Sequence, residues 1–287
     1  MPGEQRGSIL QFDSYDPRFF ARIAQIEDRH FWFCARNRII AAALRNVIED
    51  LGTGYRVLEV GCGTGVVLRE LVEVCRRGEV IGMDLYPEAV AFAGERAACE
   101  VVVGDVLKPP NLGRFDVIGM FDVLEHLSND SQIAGGLNRM LKSDGILILT
   151  VPAHLSLWSY FDIASRHCRR YERCELTRIV EGNGFKIEYV TEFMMSLYPL
   201  MWVVRRTRYR HGTMNSELAV ERADAELRII PVVNGLLKAI LTFEAFAVAR
   251  RWRLPLGTSL LIVARKRESV AETSHSLPER SSGQDSA

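Results

Sequence analysis

The sequence predicts an α/β fold: a mostly parallel sheet of seven strands, with N-terminal helices ahead of it and a helical insert before the last strand. Three observations predict it. An apolar run passes through an acid into three alternating glycines, Val57-Leu58-Glu59-Val60-Gly61-Cys62-Gly63-Thr64-Gly65. Further apolar runs follow at the spacing of βαβ units, several of them ending in an acid. The segments outside these runs place their apolar residues at helical spacing instead.

In chain order, residues 1–16 read as a loose N-terminus, and Pro17 can open a helix. Arg18–Phe33 carries Phe20, Ile23, Ala24, Ile26 and Phe31 at helical spacing. A second helix, Arg36–Leu51, presents Ile39, Ile40, Ala43, Leu44, Val47 and Ile48 on one face, and Gly52 and Gly54 stop it. This pair, 17–54, is expected to fold over the open edge of a core spanning 55–192. The glycine loop follows the first strand and leads into a helix over Val66–Arg76. Val80–Asp84 is the second strand, ending in an acid 19 residues after Gly65, and Val101–Asp105 is the third. Phe115–Phe121 is the fourth, running into Asp122-Val123-Leu124-Glu125-His126-Leu127. A turn at Leu141–Gly145 opens the fifth, Ile146–Val151, which ends at Pro152. An aromatic-rich loop, a helix near Cys174–Asn183 and a sixth strand over Gly184–Val190 come next. The last strand is Ser259–Lys266, closing a unit at 259–267, and a polar tail at 268–287 reads as disordered.

The insert, 193–258, is long for a loop. Phe193–Val204 is apolar and is followed by Arg205, Arg206, Arg208 and Arg210. Ile229–Ala249 is apolar but interrupted by Pro231, Asn234, Lys238 and Glu244, so no membrane-crossing helix is expected there. A helical cap on the core is one reading. A surface that meets membrane or a lipid-linked acceptor, with arginines facing anionic head groups, is the other.

Composition excludes little but tilts the balance. The 36 basic and 36 acidic residues cancel, whereas proteins that grip nucleic acid usually carry a basic excess, so no nucleic-acid partner is expected. The six cysteines are scattered without CxxC spacing, and the start is polar, which points to reduced thiols in the cytosol. Cys168 and Cys174 beside His167 lack a second ligand pair, so no metal is expected.

Open α/β sheets bind ligands beyond the carboxyl ends of their strands, where these acids lie. A carboxylate at Asp84 can accept hydrogen bonds from both hydroxyls of a ribose. At this point the chain resembles the class I S-adenosylmethionine (SAM) dependent methyltransferases. Glu59-x-Gly61-x-Gly63-x-Gly65 looks like their first motif, and Asp84, Asp105 and Asp122–His126 match later ones. His30-Phe31-Trp32-Phe33 with Arg36 and Arg38, the stretch from Leu157-Trp158-Ser159 to Tyr171, and Leu254-Pro255-Leu256-Gly257-Thr258-Ser259 resemble one bacterial branch with no single agreed acceptor.

The resemblance implies a Rossmann-like sheet whose seventh strand runs antiparallel between the fifth and sixth, with SAM as cofactor. It places Glu59, Gly61, Cys62, Gly63 and Gly65 at the methionine part and ribose, Asp84 and Leu85 at the ribose, Asp105 and Val106 at the adenine, and Asp122 and Val123 beneath the sulfonium. Methyl transfer needs alignment, plus a base when the acceptor is a hydroxyl or amine. His126 could be that base or could hold its loop by a hydrogen bond, with His167 and Tyr171 as rivals. Phe31, Trp32 and Trp158 are candidates for the acceptor mouth, and Arg169 and Arg170 for clamping a carboxylate or phosphate. O-methylation of a small molecule, sugar or lipid-linked acceptor is the first expectation and N-methylation the next. Aminopropyl transfer or a non-catalytic SAM-binding partner are the alternatives.

Overall fold

The computed structural model describes residues 18–208 and 216–268; the expectations for 1–16, Arg210 and most of the polar tail fall outside them. Two helices, α1 (Arg18–Ile26) and α2 (Phe31–Ile48), precede β1 (Arg56–Val60), α3 (Val66–Val74), β2 (Glu79–Asp84), α4 (Pro87–Arg96), β3 (Glu100–Val103) and β4 (Phe115–Phe121). Then come α5 (Asp130–Met140), β5 (Leu141–Pro152), the short α6 (Tyr160–Ala164), α7 (Arg173–Gly182) and β6 (Phe185–Phe193). The insert contributes α8 (Tyr198–Arg208), α9 (Ser216–Glu226) and α10 (Pro231–Ala249) before β7 (Ser259–Lys266).

All seven strands form one sheet in the order β3-β2-β1-β4-β5-β7-β6. β7 alone is antiparallel to its neighbours, pairing Leu149 with Ile262 on one side and Val190 with Ile262 on the other. The order turns around between β1 and β4, which opens a crevice at their carboxyl ends. Alternate residues of each strand feed opposite faces: Val57, Val117, Ile148 and Val263 pack under α2, α3, α4 and α10, whereas Leu58, Ile118, Leu147 and Ile262 pack under α5 and α7. A sheet covered on both faces needs strands that are apolar throughout, which is the pattern these strands carry.

Several boundaries differ from expectation: β3 stops at Val103, β5 already begins at Leu141 where a turn was expected, β6 runs on to Phe193, and the N-terminal helices divide elsewhere. The predicted Arg18–Phe33 helix breaks at 27–30, and α2 begins five residues before its predicted start at Arg36. The cause is tertiary: Glu27 and Asp28 turn away from the helix path to bind Thr64, Arg96 and Arg69. His30 then caps α2, its Nδ1 accepting from the Trp32 N–H at 3.3 Å.

The insert is helical, and α10 lies along α2. The Asn234 side chain accepts from the Phe31 N–H at 2.8 Å and donates to the Arg29 carbonyl at 3.0 Å. Buried Glu244 accepts from the Met195 and Ser196 N–H groups, both at 2.9 Å, capping a single 3-10 turn before α8. Two of the residues that interrupt the apolar run, Asn234 and Glu244, are thus its anchors. Contrary to expectation, α10 is long and apolar enough to cross a membrane by length and composition, with a mean hydropathy of 1.6 over its apolar window. Only 28% of that window is buried.

Candidate functional site

The loop after β1 turns tightly because its backbone enters the left-handed region. Gly63, at φ +53°, faces open space: among the described residues a Cβ built on it would meet only the Phe20 ring, at 3.9 Å. Gly65, at φ +79°, lets α3 approach α4 so closely that a Cβ would sit 2.7 Å from the Ala93 Cα. Only glycine takes both demands without strain. The Asp84 carboxylate ties this loop to β2, accepting from the Gly63 N–H at 2.8 Å and from the Tyr86 N–H at 3.0 Å.

A cavity of about 220 Å³ opens above this loop. Its floor includes Glu59, Gly61, Cys62, Gly63, Asp84, Leu85, Asp105, Val106, Asp122 and Val123, which are the expected cofactor residues apart from Gly65. Asp105 accepts from the Leu107 N–H at 2.8 Å, an Asx turn that sets Val106 against the cavity wall. The lid comes from α1 and α2 through Phe20, Ile23, Glu27, Phe33 and Arg36. Thr64 donates to Glu27 at 2.6 Å, and Arg96 pairs with the same carboxylate. Arg36 reaches down to Asp122 at 3.0 Å while its guanidinium lies 5.2 Å from the Trp32 ring centroid.

Two acids here are held away from their ordinary behaviour. Burial raises Asp84, offset in part by the N–H groups of Tyr86, Gly63 and Leu85. Burial also drives Glu59 well above the usual carboxylate range; Arg36 pulls it down and Asp84 pushes it further up. One Glu59 oxygen has no hydrogen-bond partner among the described residues. An orphaned buried oxygen is unfavourable unless a ligand completes it. The cationic amino group of SAM would do so, and the glycine cradle admits its methionine end, so the residues present fit that group.

A group whose folded pKa is raised contributes stability that is complete below its unfolded value and lost as pH rises through the folded one. Replacing Glu59 by Gln removes that loss. The ligand-free Glu59→Gln variant is therefore expected to melt above the parent chain, by a margin that grows as pH climbs from about 4.5. Thermal melts across a pH series check this; a margin that shrinks with rising pH would contradict the buried-acid account.

The expected acceptor-side residues divide sharply. His126 lines the cavity. His167 stands beside it, ring centroids 4.8 Å apart and nearly perpendicular, but does not itself reach the cavity. The structure places the remaining candidates outside the cavity lining. Tyr171 is fully buried and its hydroxyl donates to the Leu124 carbonyl at 3.4 Å, so it belongs to the core. Arg170 is held by Asp162 at 2.7 Å and by the Ala153 carbonyl, and Arg169 pairs with Asp130 at 2.7 Å. Phe31, Trp32 and Trp158 do not line the cavity; Phe33 and Arg36 do. Phe20, Ile23, Thr64 and Tyr86 also line the cavity without a site role expected from the sequence, and Arg36, expected only as part of a motif, joins them. Its spacing from Phe33 on one helical turn was the available signal.

Comparison with known proteins bears on the same elements. A family described as a methyltransferase domain matches residues 29–190. A protein of Mycolicibacterium smegmatis named "Probable S-adenosylmethionine-dependent methyltransferase" is 28% identical over 170 residues, 58% of this chain and 63% of that protein. The chain thus spans less than two thirds of that relative. A similarly named protein of Mycobacterium tuberculosis is 28% identical over 248 residues, covering 84% of this chain and 85% of its own. Among solved structures, phosphoethanolamine N-methyltransferase 2 of Haemonchus contortus, in complex with phosphomonomethylethanolamine and S-adenosylhomocysteine, shares the fold. Its TM-score is 0.51 at 20% identity, covering 79% of this chain and 52% of that one.

Proposed function

The chain belongs to the class I SAM-dependent methyltransferase-domain family, and from that premise we propose that it moves the methyl group of SAM to a hydroxyl of a lipid-linked or amphiphilic acceptor at a membrane surface. The observation that carries the transfer reading is the cavity itself: the glycine loop, Glu59, Asp84 and Asp105 on its floor and His126 at its end. In the transfer, an acceptor oxygen lone pair forms the bond to the methyl carbon. The carbon–sulfur pair returns to sulfur, leaving S-adenosylhomocysteine, and the hydroxyl proton leaves towards His126 or water. The chain's part is alignment and exclusion of water, supplied by the lid of α1 and α2. An amine acceptor remains the second reading.

The outward face of α10 supports the surface reading. Val232, Leu236 and Phe243 are 82%, 61% and 66% exposed and fall on one helical stripe, continued by Phe246 and Trp252. The sole acid of the helix, Glu244, is buried, and Arg250, Arg251 and Arg253 follow its end. An apolar stripe with a tryptophan and a basic rim suits an anionic bilayer, and this supports a peripheral position at the inner face of the cytoplasmic membrane.

Radiolabelled methyl transfer from SAM to extracts presented in anionic vesicles tests both halves. Label is expected in the lipid phase, and the Leu236→Glu/Phe243→Glu double variant is expected to lose about ten-fold or more of vesicle binding while still binding SAM. Label confined to water-soluble products would sink the surface reading; no transfer to any acceptor class, with SAM bound, would favour the non-catalytic alternative.

A further inference from the structure

Three side chains from two segments converge beside the cavity. Glu125 and His126 come from the turn after β4, and His167 from the loop after α6. Each offers a ligand atom, and these atoms lie within 4.8 Å of one another. Glu125 is fully buried, and neither of its carboxylate oxygens has a hydrogen bond among the described residues. The His167 Nε2 stands 4.0 Å from one of them, too far for a hydrogen bond. A carboxyl group stripped of water and left without partners is costly, and native folds rarely keep one without something to complete it.

The surroundings of His167 orient it for such a role. Its Nδ1 lies 3.0 Å from Asp162, which is itself fully buried and also accepts from Arg170 at 2.7 Å and from the Ser159 N–H at 2.8 Å. An ionised partner there fixes the proton on Nδ1 and leaves the Nε2 lone pair directed at Glu125 and His126. Carboxylates orient metal-binding imidazoles in this way.

We propose that Glu125, His126 and His167 bind one divalent transition-metal cation at the acceptor end of the cavity. Two imidazoles and one carboxylate suit zinc, manganese, iron or cobalt better than calcium or magnesium. Three protein ligands would leave coordination positions open, and His126, alone of the three, lines the cavity from which an acceptor could reach them. Resting on the methyl-transfer reading, an open position takes the acceptor hydroxyl. Coordination lowers its pKa, so that its proton passes to water before the oxygen attacks the methyl carbon. The cation keeps its oxidation state throughout. His126 then serves as a ligand instead of a base.

The test uses the full chain, stripped with a chelator and titrated with Co²⁺ alone while visible d–d absorption is followed. The same preparation is titrated with S-adenosylhomocysteine. One Co²⁺ per chain is expected, with Glu125→Gln and His167→Ala each weakening it by about 100-fold and Glu125→Gln still binding S-adenosylhomocysteine. If a variant does not fold, imidazole nitrogen coupling in the electron spin echo of Mn²⁺-loaded parent protein serves instead. Absence of Co²⁺ bands from protein that binds S-adenosylhomocysteine would overturn the proposal, as would unchanged Co²⁺ affinity in both variants. Cobalt bound without S-adenosylhomocysteine would uphold the cation site and strike down the methyl-transfer reading.

Discussion

Gly63→Arg is expected to abolish binding of both SAM and S-adenosylhomocysteine, a loss of about 100-fold or more. Two effects combine. A non-glycine residue at φ +53° is strained by about 1–2 kcal/mol. The larger effect is steric, because the new side chain would project from the loop into the cavity. Among the described residues beyond its chain neighbours, nothing stands closer than 3.9 Å to its first carbon, so the variant has room to fold. Calorimetric titration of a variant with a native circular dichroism spectrum checks this. An affinity within three-fold of the parent would move the cofactor site elsewhere.

Asp162→Asn is expected to destabilise the fold by about 3 kcal/mol, the usual loss when one member of a buried ion pair is removed. Asp162 is fully buried, caps α6 through Ser159 and faces Arg170 and His167. Burial alone would raise it, but His167 and Arg170 outweigh that and hold it at about 2. Because the folded value lies below the unfolded one, its contribution is complete above the ordinary 3.8 and is lost as pH falls towards 2. Denaturant unfolding of both proteins should show a constant gap from neutral pH down to about 4 and a narrowing gap below it. A gap that widens in acid would contradict the ion-pair account.

Much of the fold was legible because its strands are covered on both faces. Leu58, Ile118, Leu147 and Ile262 sit in continuous apolar runs that need no partner information to be read. The cofactor-side acids were legible for a local reason: Asp84 ends β2 and Asp105 follows the end of β3 by two residues, so both reach the crevice by topology. What was not legible depended on contacts across the chain. The α1–α2 break follows from Glu27 and Asp28 binding residues of other elements, which helical spacing does not record. Tyr171 and Arg170 have the chemistry of an active site but serve the packing of α6 and the end of β5. Glu125 was read only as part of a motif, since nothing local shows that folding would bring His167 to it.

The way α2 is pinned has a consequence for how distant events communicate. Its start hangs on Asn234 and its middle on Thr242, both on α10, while Arg36 between them grips Asp122 on the cavity floor. A helix cannot bend freely between such fixed points, so it acts as a rigid beam joining the outer stripe to the loop beneath the ligand. If seating α10 on a surface shifts that beam, it changes the free energy of occupying the cavity. Thermodynamic reciprocity then requires filling the cavity to alter the hold on the surface by the same factor. Capture of the acceptor and loading of the methyl donor would be two readings of a single equilibrium.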